Sequence, residues 1–147
     1  MPDKFPGLKP AFAKNGTITA ANASKINDGG AALVLMSEQA AKDRGLKPLA
    51  RIVAYDDAAV APIDFAIAPA KACEKLLKRA NMQMSDIDYH EVNEAFSAVA
   101  LANMKLLDLD PSRVNVHGGA VALGHPIGVS GARILISLIN VLRTKDA

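Results

Sequence analysis

The sequence predicts a layered α/β fold, a mixed sheet with covering helices, from three observations. Half of the 147 residues are apolar, yet aromatic residues make up only 4% and Trp is absent. Packing therefore falls to Ala, Val, Leu and Ile, which suit closely stacked layers. Short continuous apolar runs, of the kind found in strands covered on both faces, alternate with stretches whose apolar residues recur at helical spacing. Ten glycines and eight prolines are enough to separate these elements with tight turns.

Residues 1–27 read as a connector or the end of a loop domain, with prolines at 2, 6 and 10 and an Asn15-Gly16 turn before Thr17-Ile18-Thr19. Residues 28–147 read as the α/β domain. Ala31 to Met36 is an apolar run with the character of a buried strand. Ser37 can cap a short helix from Glu38 to Arg44, and Gly45 can close it in the left-handed conformation that glycine enters without strain. Arg51 to Tyr55 reads as a second strand, followed by a long connection from Asp56 to Ala68. Pro69 suits the first turn of the next helix, where its missing N–H costs nothing. In that helix Cys73, Leu76, Leu77 and Ala80 share one face, while Lys71, Glu74, Lys75 and Lys78 take the wet side. This stripe assigns the only thiol, Cys73, to packing rather than to catalysis.

Ile87 to Val92 predicts a third strand, running through Asn93-Glu94-Ala95-Phe96 into a helix that reaches Leu107. Val114 to His117 predicts a short fourth strand after the Asp110-Pro111 turn. The last helix is expected from Ser130 to Arg143, with Leu135, Leu138, Ile139 and Leu142 facing inward. A closing helix of this kind ordinarily leads into another strand of the same sheet, so the sheet is expected to be incomplete.

Composition excludes several classes of function. Seventeen Lys and Arg against fifteen Asp and Glu leave a formal charge of +2, too balanced for a broad surface that binds nucleic acid or anionic lipid. No apolar run approaches the ~18 residues of a membrane span. The opening residues carry neither the apolar core of a signal peptide nor the Arg-rich pattern of a transit peptide. One cysteine excludes an internal disulfide framework and a Cys-based zinc cluster, and favours a reducing compartment.

Chemistry concentrates in three segments. His117 to Arg133 holds five of the ten glycines, and such density lets a backbone turn sharply and lets a ligand approach closely. The spacing fits neither a Walker phosphate loop nor a dinucleotide fingerprint. Within this segment His125 stands in a Gly-His-Pro-Ile-Gly turn. Pro126 biases His125 away from helical geometry and holds the ring on a rigid bend. Imidazole exchanges protons near neutral pH, which makes His125 a candidate acid or base rather than a packing residue. Asn93, at a strand-to-helix junction, can donate to a developing oxyanion directly or through water, and can equally cap the following helix. Thr19 to Gly29 is a run of small and amide residues without periodicity, able to turn backbone carbonyls toward a ligand or ion.

Taken in order, Asn22-Ala23-Ser24 with Asn27-Asp28-Gly29, Asn93-Glu94-Ala95-Phe96, and Gly118-Gly119-Ala120 with Gly124-His125-Pro126-Ile127-Gly128 resemble the C-terminal part of the thiolases. The likeness covers nearly the whole chain. Thr19 to Ser24 and Tyr55 to Phe65 are similar to the mitochondrial, acetoacetyl-CoA-cleaving branch of that family. The resemblance implies the C-terminal half of a thiolase-like layered fold, truncated at both ends, and a mitochondrial setting although no targeting segment is present. It implies reversible cleavage of acetoacetyl-CoA or a related short 3-ketoacyl-CoA by coenzyme A, or the reverse Claisen condensation of two acetyl-CoA molecules. Acyl-CoA is the implied partner, and the full-length protein is implied to be a homodimer or homotetramer.

By the same resemblance, His125 activates an acyl-accepting cysteine of the N-terminal half and helps to stabilise the oxyanion on the thioester oxygen. Asn93 holds a water in that oxyanion hole. Ser24 meets the pantetheine arm of CoA, Ala95 and Phe96 form the wall beside the acyl group, and Lys4 lies near the nucleotide end. In the potassium-activated type, backbone carbonyls at Ala20, Ala21, Ala23 and Val121 help to hold the ion, an oxygen-only ligation that suits a hard cation. His117 stands where some relatives have Asn and is read as a tolerated difference. Both catalytic thiols are expected outside this chain, which alone is then inactive; the alternative is a noncatalytic CoA-binding or interaction fragment.

Overall fold

A computed structural model describes residues 2–147. Among the described residues five α-helices follow one another: α1 (Glu38–Asp43), α2 (Ala68–Ala80), α3 (Ser97–Leu107), α4 (Ala120–Leu123) and α5 (Ser130–Lys145). Short stretches of 3-10 helix at Pro2–Gly7, Pro62–Ile67, Met84–Asp86 and Pro111–Arg113 punctuate them. No helix among the described residues is long and apolar enough to cross a membrane.

The helix ends follow the local chemistry. The Ser37 hydroxyl accepts the Ala40 N–H at 3.1 Å and starts α1, and Gly45, at φ +61°, closes it. α2 begins around Pro69 and stops at Asn81, whose φ of 53° lets its N–H turn back to Leu77 and Lys78. Its faces divide as the periodicity predicts, with Cys73, Leu76, Leu77 and Ala80 half-buried and Lys71, Glu74, Lys75 and Lys78 exposed.

Helix α2 lacks a side-chain cap of its own, and α3 supplies one. Asn103 of α3 is fully buried; its Oδ1 accepts the Ala70 N–H at 2.8 Å, and its Nδ2 donates to Ala66 O at 2.8 Å and Val99 O at 2.7 Å. One polar side chain in a core of Ala70, Val99 and Ala100 thus satisfies groups on three segments.

Several expectations change. The third and fourth strands meet at one parallel bridge, His90 to Val114, and the predicted strand Val114–His117 ends there because Asn115 turns left-handed at φ 47°. A second bridge, antiparallel, joins Ala23 to Phe96. The apolar runs 31–36 and 51–55 form no ladder among the described residues; Val34 is 87% exposed and Val53 63%. A strand exists only through its neighbours, so an apolar run without paired edges stays single. The third helix starts at Ser97, and Phe96 rather than Asn93 stands at its N-cap position. In α5 the stripe is rotated from the predicted one: Val141 is fully buried and Leu135 is 46% exposed. Apolar residues occupy more than one side of that helix, and spacing alone cannot choose between them.

Candidate active site

The backbone presents His125 on a bend packed from both sides. Gly124, at φ +99°, abuts the Asn27 side chain so closely that a Cβ would overlap it, and Gly29 packs in the same way on Pro126. The His125 N–H donates to Lys25 O at 2.9 Å. Residues 25–29 therefore brace the histidine turn.

The ring is oriented by a residue that sequence reasoning missed. His125 Nδ1 lies 2.6 Å from Ser130 Oγ, and Ser130 is buried at the start of α5. The same hydroxyl donates to Pro126 O at 3.1 Å. With the hydroxyl proton on Pro126 O, the Ser130 oxygen accepts from Nδ1–H and Nε2 keeps a free lone pair, the tautomer a base at Nε2 requires. Nε2 faces Asn93 Nδ2 at 3.5 Å. Two polar atoms at that separation can both reach one oxygen at about 2.7–3.1 Å, the geometry of an oxyanion site.

Asn93 does not cap α3, which begins four residues later. Its Oδ1 is buried and bonded to nothing among the described residues, which leaves an acceptor for a small polar guest. The preceding residue is held on both sides, since Asn115 Oδ1 accepts the Val92 N–H at 2.8 Å and Asn115 Nδ2 donates to Val92 O at 3.0 Å. Glu94 accepts the Val121 N–H of α4 at 3.0 Å, and its carboxylate fills the space beside Gly119. Glu91 and Arg133 approach to 3.7 Å with the Glu91 side chain 3% exposed. Burial pushes the Glu91 carboxyl above its ordinary range, and the Arg133 charge only partly offsets this.

Ser24 and the wall residues also come together. Ser24 N–H and Oγ both donate to Ala95 O, at 3.0 and 2.7 Å, so the hydroxyl can offer a guest only its acceptor lone pairs. The Phe96 ring meets Phe12 and Phe65 edge-on, with centroids at 5.7 and 6.3 Å. Ala20, Ala21 and Ala23 share a turn in which Thr19 O accepts from Asn22 and Ala23, and the Asn22 side chain binds Thr19 N–H and Thr17 O. The carbonyls of these three alanines and of Val121 accept no backbone hydrogen bond among the described residues. Lys4 stays exposed in the opening turn and makes no ion pair among the described residues. Burial, aided by Glu74, pushes the Cys73 thiol up and keeps it protonated, as a packing role requires. His117 is exposed, 3.4 Å from the Asn140 amide.

Known proteins share this arrangement of chain. Residues 46–147 match the family model for the thiolase C-terminal domain, and residues 1–39 that for the thiolase N-terminal domain. A probable acetyl-CoA acetyltransferase of Dictyostelium discoideum is 59% identical over 144 residues, which cover 98% of this chain and 35% of the relative. Mitochondrial acetyl-CoA acetyltransferase B of Xenopus laevis is 62% identical over 141 residues, covering 95% of this chain and 34% of the relative. The crystal structure of Acat5 thiolase from Ascaris suum in complex with coenzyme A superposes with a TM-score of 0.94 at 54% identity, over 97% of this chain and 38% of that one. The likeness bears out the layered thiolase-like architecture, and the chain spans about a third of the length of the curated relatives it matches.

Proposed function

The chain belongs to the thiolase family, and from that premise we propose that it supplies one side of the active site of an acetyl-CoA C-acetyltransferase. The reaction is the reversible thiolysis of acetoacetyl-CoA, or a related short 3-ketoacyl-CoA, to acetyl-CoA. The observation that carries the proposal is the His125–Asn93 pair, with Nε2 and Nδ2 at 3.5 Å and Nδ1 2.6 Å from Ser130 Oγ.

The roles follow from that geometry. His125 Nε2 takes the proton of a cysteine thiol contributed by the remaining part of the polypeptide, and the thiolate attacks the keto carbonyl of the substrate. Once protonated, Nε2–H becomes a donor to the thioester oxygen as the carbon–carbon bond breaks and negative charge collects there. Asn93 adds a second donor from its amide, directly or through a water that its buried Oδ1 can hold. Ser24 offers acceptor lone pairs to an amide N–H of the pantetheine arm, and Ala95 and Phe96 wall the acyl group. Lys4 is assigned to the nucleotide end of CoA, on resemblance alone.

Four carbonyls without backbone partners, at Ala20, Ala21, Ala23 and Val121, fit a weakly held potassium ion, which would stiffen the turn that carries Ser24. Residues 1–27 are assigned to the end of a loop domain and residues 28–147 to the C-terminal domain, a boundary that falls within the stretch 1–39 matched by the N-terminal model. The mitochondrial relatives support a mitochondrial setting, and a homo-oligomer is the assembly that the family resemblance favours.

The test uses a chimaera in which this segment replaces the corresponding third of a full-length relative. His125→Ala in that protein is expected to lower kcat for acetoacetyl-CoA thiolysis by about 10²–10⁴-fold, the contribution of a general base. Turnover within about threefold of the parent, which is roughly 0.7 kcal/mol of barrier, would remove His125 from the mechanism.

A further inference from the structure

We infer that Asn115 is the positioning residue that sets the spacing of the catalytic pair, by continuing with its side chain a β-ladder that its backbone abandons. The inference rests on the reading of Asn93 and His125 as that pair. In a parallel ladder one strand's residue bonds the two residues flanking its neighbour, and the rungs then repeat every second residue. Here His90 N–H donates to Arg113 O and Asn115 N–H donates to His90 O, both at 2.9 Å. The next rungs would take Val92 N–H to the Asn115 carbonyl and a further N–H of the second strand to Val92 O.

Neither backbone rung forms. Asn115 turns left-handed at φ 47°, and its carbonyl accepts the Gly118 N–H at 2.8 Å within the turn. The side-chain amide takes both vacated places: Oδ1 receives Val92 N–H at 2.8 Å, and Nδ2 donates to Val92 O at 3.0 Å. One residue therefore does two things at once. Its backbone sends the chain away through Gly118 and Gly119 to α4 and His125, while its side chain keeps hold of the residue before Asn93. Asn is suited to both, because it tolerates the left-handed region and carries an acceptor and a donor in the geometry of a peptide. Gly119 leaves room for this clamp; a Cβ there would stand 3.0 Å from Asn115 Nδ2.

The test is a double-mutant cycle in the full-length chimaera, read as kcat and KM for acetoacetyl-CoA thiolysis. Asn115→Gly keeps the left-handed backbone and removes the clamp. It is expected to lower kcat about 10- to 100-fold, the scale of a displaced reacting group, with KM within about twofold. In an Asn93→Ala background the same change is expected to cost less than about threefold, because its effect passes through Asn93. Asn115→Asp, which keeps the acceptor and loses the donor, is expected to fall between parent and Gly, and it decides the matter if the Gly variant does not fold. Parental kcat in either variant, or an undiminished loss in the Asn93→Ala background, overturns the inference. His125→Ala measured alongside separates the two levels: if it too keeps turnover, the reading of the pair fails and takes the inference with it.

Discussion

Ser130→Ala is the sharpest perturbation of the site that leaves its packing intact. The substitution removes one oxygen atom and retains Cβ, so no space larger than a hydroxyl opens in the buried start of α5. Pro126 O loses the Ser130 hydroxyl but keeps the backbone N–H groups of Val129 and Ser130 at 2.8 and 2.9 Å, and is not left unsatisfied. The whole consequence falls on His125 Nδ1, which loses its 2.6 Å partner. A lost hydrogen bond that leaves a partly buried donor unpaired is worth about 1–3 kcal/mol. Spent on orientation and tautomer, this corresponds to roughly 5- to 150-fold in rate. The imidazole is then free to place its proton on Nε2, where it cannot act as a base. The assay is steady-state thiolysis of acetoacetyl-CoA by the chimaera, with thermal unfolding as the control. The expected result is a kcat reduced within that range with Tm nearly unchanged and KM little altered, and Ser130→Thr, which restores a hydroxyl, should recover part of the loss. A Ser130→Ala protein with parental kcat would refute the tautomer argument.

Two further outcomes concern stability. Asn103→Ala strips the cap from Ala70 N–H and the donor from Ala66 O in a closed core, and is expected to cost about 2–5 kcal/mol, seen as a lower denaturation midpoint of the chimaera; an unchanged midpoint would contradict it. Burial raises the folded Glu91 carboxyl above the ordinary glutamate value of 4.5, so the native state holds that proton to a higher pH than the unfolded chain. The stability associated with this group is present below the unfolded value and is lost as pH rises through the raised one. Glu91→Gln should therefore flatten the decline of Tm above about pH 4.5, while lowering Tm overall because the buried Arg133 guanidinium loses its ion-pair partner; a variant whose Tm declines with pH as steeply as the parent's would count against it.

The local parts of the fold were legible because short-range chemistry decides them. Ser37 and Gly45 bracket α1, Pro69 opens α2, and the charge pattern of α2 names its wet face. Where two faces of a helix are both apolar, as in α5, spacing could not show that Val141 rather than Leu135 is buried. The runs at 31–36 and 51–55 have the composition of strands, but pairing is a property of two segments, and their edges meet no backbone partner among the described residues. The candidate site divides in the same way. His125 and Asn93 were visible as residue types in unusual settings. Ser130 and Asn115 were not, because a serine at a helix start and an asparagine near a turn are ordinary; only the distances to Nδ1 and to Val92 give them a role. The bond from Val121 N–H to Glu94 was equally invisible, since the two residues lie 27 positions apart in sequence.

The most direct measurement of the central claim is a crystal structure of the full-length chimaera with a nonhydrolysable acetoacetyl-CoA analogue bound. The thioester oxygen is expected about 3 Å from His125 Nε2, with the Asn93 amide reaching it directly or through one water and Nδ1 still on Ser130. A thioester oxygen held elsewhere, or a His125 ring turned away from Ser130 with Asn93 facing a different cavity, would contradict it.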